Sequence, residues 1–145
     1  AVDPYFISSK FPAEARIINL ARDVNNQKAM WCAEKIRRKM VEFELERHTA
    51  PVVAMMGLAF KPNIDDLRES PAKLIASRVL QSCSNGDVMV VEPNITDHKV
   101  FKLTNYKVAY EKADIVVYLV NHREFAELNY RPDVQVLDFC GVFKK

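Results

Sequence analysis

The sequence predicts an α/β protein, a long helix followed by an open parallel sheet with flanking helices, and three observations carry that prediction. Residues 12–47 contain no glycine and no internal proline, and their apolar residues recur at helical intervals. From residue 51 onward the texture changes to short runs that are continuously apolar rather than alternating, as strands read when both faces of a parallel sheet are covered. Helix signals fall between those runs, and strands alternating with helices build a parallel sheet because each crossover must return across one of its faces.

Within residues 12–47, Ile17, Leu20, Val24 and Trp31, then Ala33, Ile36, Met40 and Phe43, stand three, four or seven positions apart. Unbroken, such a helix would run ~54 Å at 1.5 Å per residue, longer than a small domain is wide, so it has to bridge something. Met30, Trp31, Cys32 and Ala33 put apolar groups on several faces, which calls for more than one neighbour, such as a second subunit. The alternative is a helical hairpin broken near Asn25 and Asn26 and packed on its own domain. Strands are expected in residues 51–58, 87–91, 107–109, 114–120 and 134–137. Residues 71–83 read as a helix, with Ser70 as its cap and Pro71 suited to its first turn. Shorter helices are expected at residues 110–113 and 123–128. The chain therefore divides into a helical segment, residues 1–49, and an α/β unit, residues 50–145.

Composition removes several classes of function. In 145 residues, 49% are hydrophobic and 28% charged, the balance of an ordinary globular protein. Lys and Arg number 21 against 19 Asp and Glu, so no global basic field points to nucleic acid. The basic stretch Lys35, Arg37, Arg38 and Lys39 precedes Glu42, Glu44 and Glu46 and reads as a solvated helix face with pairing between neighbouring turns. Only three glycines occur, too few for a dinucleotide-binding turn or a phosphate-cradling loop, so if the protein uses NAD or a nucleoside triphosphate the usual phosphate cradle lies outside this chain. Three cysteines with no CxxC pair argue against a disulfide framework and a structural zinc site, and fit a reducing cytoplasm. No stretch approaches the roughly 18 apolar residues of a membrane span, and the amino end has no signal-peptide pattern. Opening on Asp3 and Pro4 without a methionine, the chain reads as a cut fragment.

In open α/β sheets ligands bind beyond the carboxyl ends of the strands, so the loops after Leu58, Val91 and Val120 are where chemistry is sought. The first of these is the densest polar segment of the chain. Its two cations, Lys61 and Arg68, lead into a capped helix amino terminus, which favours a phosphate or pyrophosphate. Asp65, Asp66 and Glu69 outnumber them, and a solvated turn whose charges pair among themselves is the competing reading. Elsewhere the plainer readings prevail. His122 reads as a surface or capping residue, Cys140 as a small buried hydrophobe, and Tyr5 and Phe6 as core packing. Asp3 taken alone reads as a cap near the chain end.

The run GLAFKPNIDDLRESPA, residues 57–72, resembles the carboxyl-terminal signature of the UDP-glucose/GDP-mannose dehydrogenase family of nucleotide-sugar 6-dehydrogenases. The opening VDPYFI is similar to the segment that follows that family's catalytic cysteine, and VNNQK and VVEPNI fall in the family's order. The resemblance implies an NAD-binding Rossmann domain upstream, a central helix that builds a homodimer, and a Rossmann-like domain for the UDP end of the substrate. On that reading residues 1–49 are the central helical dimerisation segment and residues 50–145 the UDP-sugar-binding Rossmann-like domain. The implied reaction oxidises a sugar C6 alcohol to a carboxylate by two hydride transfers through a cysteine thioester, with the nucleophile and the NAD domain outside this chain. Asp3 then matches the aspartate that assists the hydrolytic water, Phe60 and Lys61 the pair that contacts the UDP-sugar, and Arg68 an arginine that reaches toward NAD. The motifs favour UDP-N-acetyl-D-mannosamine as substrate, with UDP-N-acetylglucosamine or UDP-glucose as alternatives, and a stand-alone nucleotide-sugar-binding or dimerisation module without catalysis as the reading from another class. After the last expected strand, Asp138 is followed by Phe139, Cys140 and Gly141 where the family pattern carries a basic residue.

Overall fold

The structure, a computed structural model, describes residues 3–83 and 87–143, the side chains of Asp3 and Tyr5 excepted. A short helix that the periodicity did not predict, α1 (Asp3–Lys10), opens the chain. It leads into α2 (Arg16–Arg47), which runs unbroken through Asn25 and Asn26 and so excludes the hairpin. With no glycine or proline inside it, nothing interrupts its hydrogen-bond ladder until His48 adopts the left-handed conformation (φ 57°) and donates its N–H to Glu44 O at 2.8 Å. Only one face of its carboxyl-terminal part is buried, through Ala29, Cys32, Ala33, Ile36, Met40 and Phe43. Its amino-terminal half leaves Ile17 83% and Leu20 64% exposed. The basic stretch is a solvated face, as expected: Glu34 pairs with Arg37 and Arg38, and Lys39 with Glu42.

Four strands form one parallel sheet in the order β2-β1-β3-β4: β1 (Val53–Met56), β2 (Val88–Val91), β3 (Ile115–Tyr118) and β4 (Gln135–Asp138). Val53 lies beside both Val88 and Ile115, and Met56 beside both Val91 and Tyr118, so the central strands end level. Every residue of β1 and β3 is buried, which is why those runs are apolar without alternation. The alternation exists but is divided between two cores. Val53, Met55, Ile115 and Val117 face Ile36 of α2 and Val79 of α3 (Pro71–Ser82), whereas Ala54, Met56, Val116 and Tyr118 face Phe125 and Ala109.

Three sequence expectations are revised here. Residues 107–109 are not a strand but the first half of α4 (Tyr106–Lys112), because Asn105 caps it by accepting the N–H groups of Lys107 and Val108. The helix expected at residues 110–113 is thus the end of an earlier one, and the extended pairing nearby belongs to Leu103, bridged to Val90. The helix expected at 123–128 is a tighter 3-10 turn, Arg123–Glu127. The start of α3 matches expectation: Pro71 opens it and the Ser70 hydroxyl accepts the Lys73 N–H at 3.4 Å.

Candidate functional site

The order β2-β1-β3-β4 reverses direction between β1 and β3, and in such a sheet the crevice opens where the loops beyond these two strands part. At their base the loops touch. Gly57 has φ 94°, and a Cβ there would stand 2.7 Å from the Cβ of Val120, so only glycine fits.

Above that contact the loops after β1, β2 and β3 are joined by two side chains buried to 0% exposure, Glu92 and His122. Glu92 Oε2 accepts the N–H of Leu58 at 2.8 Å and of Ala59 at 2.9 Å, and faces His122 Nε2 at 3.1 Å. Its Oε1 accepts from the N–H and Nδ2 of Asn94, at 3.0 and 3.2 Å. On the opposite ring nitrogen, His122 Nδ1 accepts the Asn63 N–H at 3.0 Å, with Asn94 Nδ2 also at 3.0 Å. A backbone N–H can only donate, so Nδ1 carries no proton and the ring proton sits on Nε2, aimed at Glu92. Burial pushes the Glu92 carboxyl up, but the bonds from His122, Asn94 and Leu58 outweigh it and hold the group at about 2. His122 is therefore neither a surface residue nor a side-chain cap, in contrast to the sequence reading.

The loop after β1, residues 57–70, is closed internally. Phe60 N–H bonds Asp66 O at 2.8 Å, Asn63 sits in the left-handed region (φ 61°), and its Oδ1 accepts the Arg123 N–H at 2.9 Å. Asp66 takes both Nε and Nη2 of Arg68 at 2.9 Å, and this pairing draws the Asp66 carboxyl down to about 2. Ser70 is buried, its hydroxyl donating to Ala59 O at 3.2 Å.

Beside this edge an open cleft of about 730 Å³ separates the α/β unit from the amino-terminal half of α2. Phe60, Ala72, Leu119 and Phe139 form one wall; Ile18 and Ala21 of α2 form the apolar part of the other, and Arg22, Asn25, Asn26 and Lys28 its polar part. Apolar walls with a few amides and charged groups of both signs, Arg22 and Lys28 with Glu69, suit a ligand that combines an apolar part with polar groups.

Of the residues singled out by sequence, Phe60 lies in the cleft wall. Lys61 is exposed beside it, its ammonium 5.9 Å from the Phe60 ring centre. Arg68 is not brought to the cleft; its side chain is 89% exposed and engaged with Asp66, as the competing reading of a self-paired turn required. Asp3 begins α1, and its neighbour Pro4 lines the cleft, but the Asp3 side chain lies outside the described residues. Cys140 sits against Asp138, and burial together with that carboxylate pushes its thiol up to about 12, which suits an inert packing residue. Sequence reasoning missed Glu92, Asn63 and Asn94 as a unit. The available signal was an acid placed directly after an apolar strand run, where an unpaired charge would be costly.

These residues do not fit a dinucleotide cradle. Such a cradle needs unengaged backbone N–H groups at the turn after the first strand, and here those of Leu58 and Ala59 are already bonded to Glu92. Residues 54–144 match the model of the UDP-glucose/GDP-mannose dehydrogenase family, UDP binding domain. The chain belongs to that family. It is 41% identical over 147 residues to a UDP-N-acetyl-D-mannosamine dehydrogenase of Campylobacter jejuni, covering 97% of this chain and 34% of that protein. To an NDP-N-acetyl-D-galactosaminuronic acid dehydrogenase of Ralstonia nicotianae it is 42% identical, covering 89% of this chain and 30% of the relative. The family fold is seen in the structure of a UDP-D-ManNAc dehydrogenase from Pyrococcus horikoshii, with a TM-score of 0.77 at 23% identity over 99% of this chain and 34% of that one. The chain thus spans about a third of the length of the curated relatives it matches. Among its described residues no helix is long and apolar enough to cross a membrane.

Proposed function

We propose that this chain is the substrate-nucleotide-binding and subunit-pairing part of a cytoplasmic, NAD-dependent UDP-sugar 6-dehydrogenase, whose NAD domain and cysteine nucleophile lie in other residues of a longer polypeptide. The substrate is UDP-N-acetyl-D-mannosamine, oxidised at C6 to the uronate; of the two relatives described above, one is named for UDP-N-acetyl-D-mannosamine and the other for an NDP-N-acetyl-D-galactosaminuronic acid. Residues 50–145 bind the UDP end and residues 1–49 pair subunits. The observation that carries this reading is the position of the cleft: it opens at the carboxyl edge of the sheet, between the α/β unit that matches a UDP-binding domain and the amino-terminal half of α2, with Phe60 in its wall and Lys61 adjoining.

In this reading Phe60 packs on the substrate and the Lys61 ammonium meets the diphosphate, which a flexible point charge suits. Asp3 orients or deprotonates the water that releases the acid, and Arg68 leaves Asp66 to reach a dinucleotide held elsewhere. Calorimetry with UDP tests the binding half: Lys61→Ala should weaken binding by roughly 1.5 to 3 kcal/mol through loss of a charge-assisted bond. Equal affinity would remove Lys61 from the site. A panel of UDP-sugars assayed with the complete enzyme and NAD tests the other half, and a preference for UDP-glucose would overturn the mannosamine assignment.

A further inference from the structure

Three backbone N–H groups of the β1–α3 loop end on the same buried pair. Leu58 and Ala59 bond Glu92, and Asn63 bonds His122. Between these anchors lie only Phe60, Lys61 and Pro62. The pair is itself held from β2's side by Asn94, whose two amide hydrogens can serve Glu92 Oε1 and His122 Nδ1 together. From the far side, Asn63 Oδ1 accepts the Arg123 N–H, so His122 and the residue after it both grip Asn63. Neither side chain reaches solvent or the cleft wall.

We infer that Glu92 and His122 are positioning residues for nucleotide binding: they hold the Phe60–Lys61–Pro62 segment in its binding geometry through its flanking backbone N–H groups. The inference rests on the reading that UDP binds at this loop. Its physical basis is preorganisation. A surface loop that had to be ordered by its ligand would lose that ordering free energy from affinity, whereas here the ordering is completed on folding. Which ring nitrogen does the work is fixed by geometry. Nδ1 holds the loop, and Nε2 only ties the ring to Glu92.

That asymmetry gives a test a general stabilising role would not satisfy. In His122→Asn the Oδ1 can take the place of Nδ1 and accept the Asn63 N–H; in His122→Gln the amide nitrogen can take the place of Nε2 and donate to Glu92, leaving Asn63 without its acceptor. His122→Phe keeps the ring against Phe125, which it meets edge-on at 5.4 Å, and loses both nitrogens. All three should unfold at lower temperature than the parent. UDP affinity, measured by calorimetry on the complete polypeptide well below those midpoints, should fall about tenfold or more in the Gln and Phe variants and stay within about threefold of the parent in the Asn variant. Hydrogen exchange at the Asn63 amide should accelerate in the same two variants. Affinity that follows the unfolding midpoints instead of the Nδ1 acceptor, or that is unchanged in all three, overturns the positioning role while leaving UDP binding intact. No UDP binding by the parent protein would remove the reading of the site, and the inference with it.

Discussion

Glu92 is the residue on which pH should act most plainly. Its carboxyl lies at about 2 in the folded protein against an ordinary 4.5, so the fold gains stability from its ionised form above the ordinary value and loses it as pH falls toward 2. The difference corresponds to about 3 kcal/mol. Glu92→Gln presents an NH2 group to donors that need an acceptor, so the variant should be destabilised at neutral pH and its unfolding midpoint should depend less on pH below 4.5. Thermal unfolding followed by circular dichroism across that range checks this; parallel curves for parent and variant would show that Glu92 is not the group that titrates. Gly57 offers a second residue-scale case. Alanine there must hold φ near 94° and set its Cβ against Val120, which together should cost about 2 to 4 kcal/mol, read as a lowered denaturation midpoint.

Among the elements, those with strong local instructions were legible in the sequence. The periodicity of α2, unbroken by glycine or proline, marked a long continuous helix, but of its eight apolar positions only Ala33, Ile36, Met40 and Phe43 are buried, whereas Ile17, Leu20, Val24 and Trp31 are exposed. Ser70 and Pro71 marked the start of α3. The failures occurred where the instruction is a single side chain against a short apolar run. Val108 and Ala109 follow a lysine and resemble a strand fragment, yet Asn105, two residues before that lysine, decides for helix by satisfying two N–H groups at once. Ser70 is a cap with a second duty, since its hydroxyl also donates to Ala59 O, just before Phe60 and Lys61. Ser70→Ala should therefore cost about 1 to 2 kcal/mol, at the upper part of the range for losing a cap. Ser70→Thr, which keeps the hydroxyl, should recover most of that loss. If the threonine variant is as unstable as the alanine variant in chemical denaturation, the cap bond is not what matters.

Across the whole molecule, the site is assembled from segments distant in sequence, and this decides what could be read in advance. The loop of residues 57–70 was identifiable because its polar residues are contiguous. The pair beneath it was not, because Glu92 and His122 stand 30 positions apart and meet only once β1, β2 and β3 lie side by side. The opposite wall of the cleft comes from α2, where Asn25 and Asn26 resemble a helix break in sequence and prove to be lining residues. The same half of α2 carries Ile17, Leu20 and Val24, at 83%, 64% and 56% exposure, on successive turns. Three large aliphatic groups in one stripe on a helix that the rest of the chain covers on one side only are what a helix-to-helix subunit contact requires. If subunits pair there, as proposed, the complete polypeptide should sediment as a dimer, and Leu20→Asp should shift it toward monomer at micromolar concentration. Because Leu20 packs little within its own subunit, the variant's secondary structure measured by circular dichroism should be unchanged. A Leu20→Asp protein that remains dimeric would place the subunit contact on another surface.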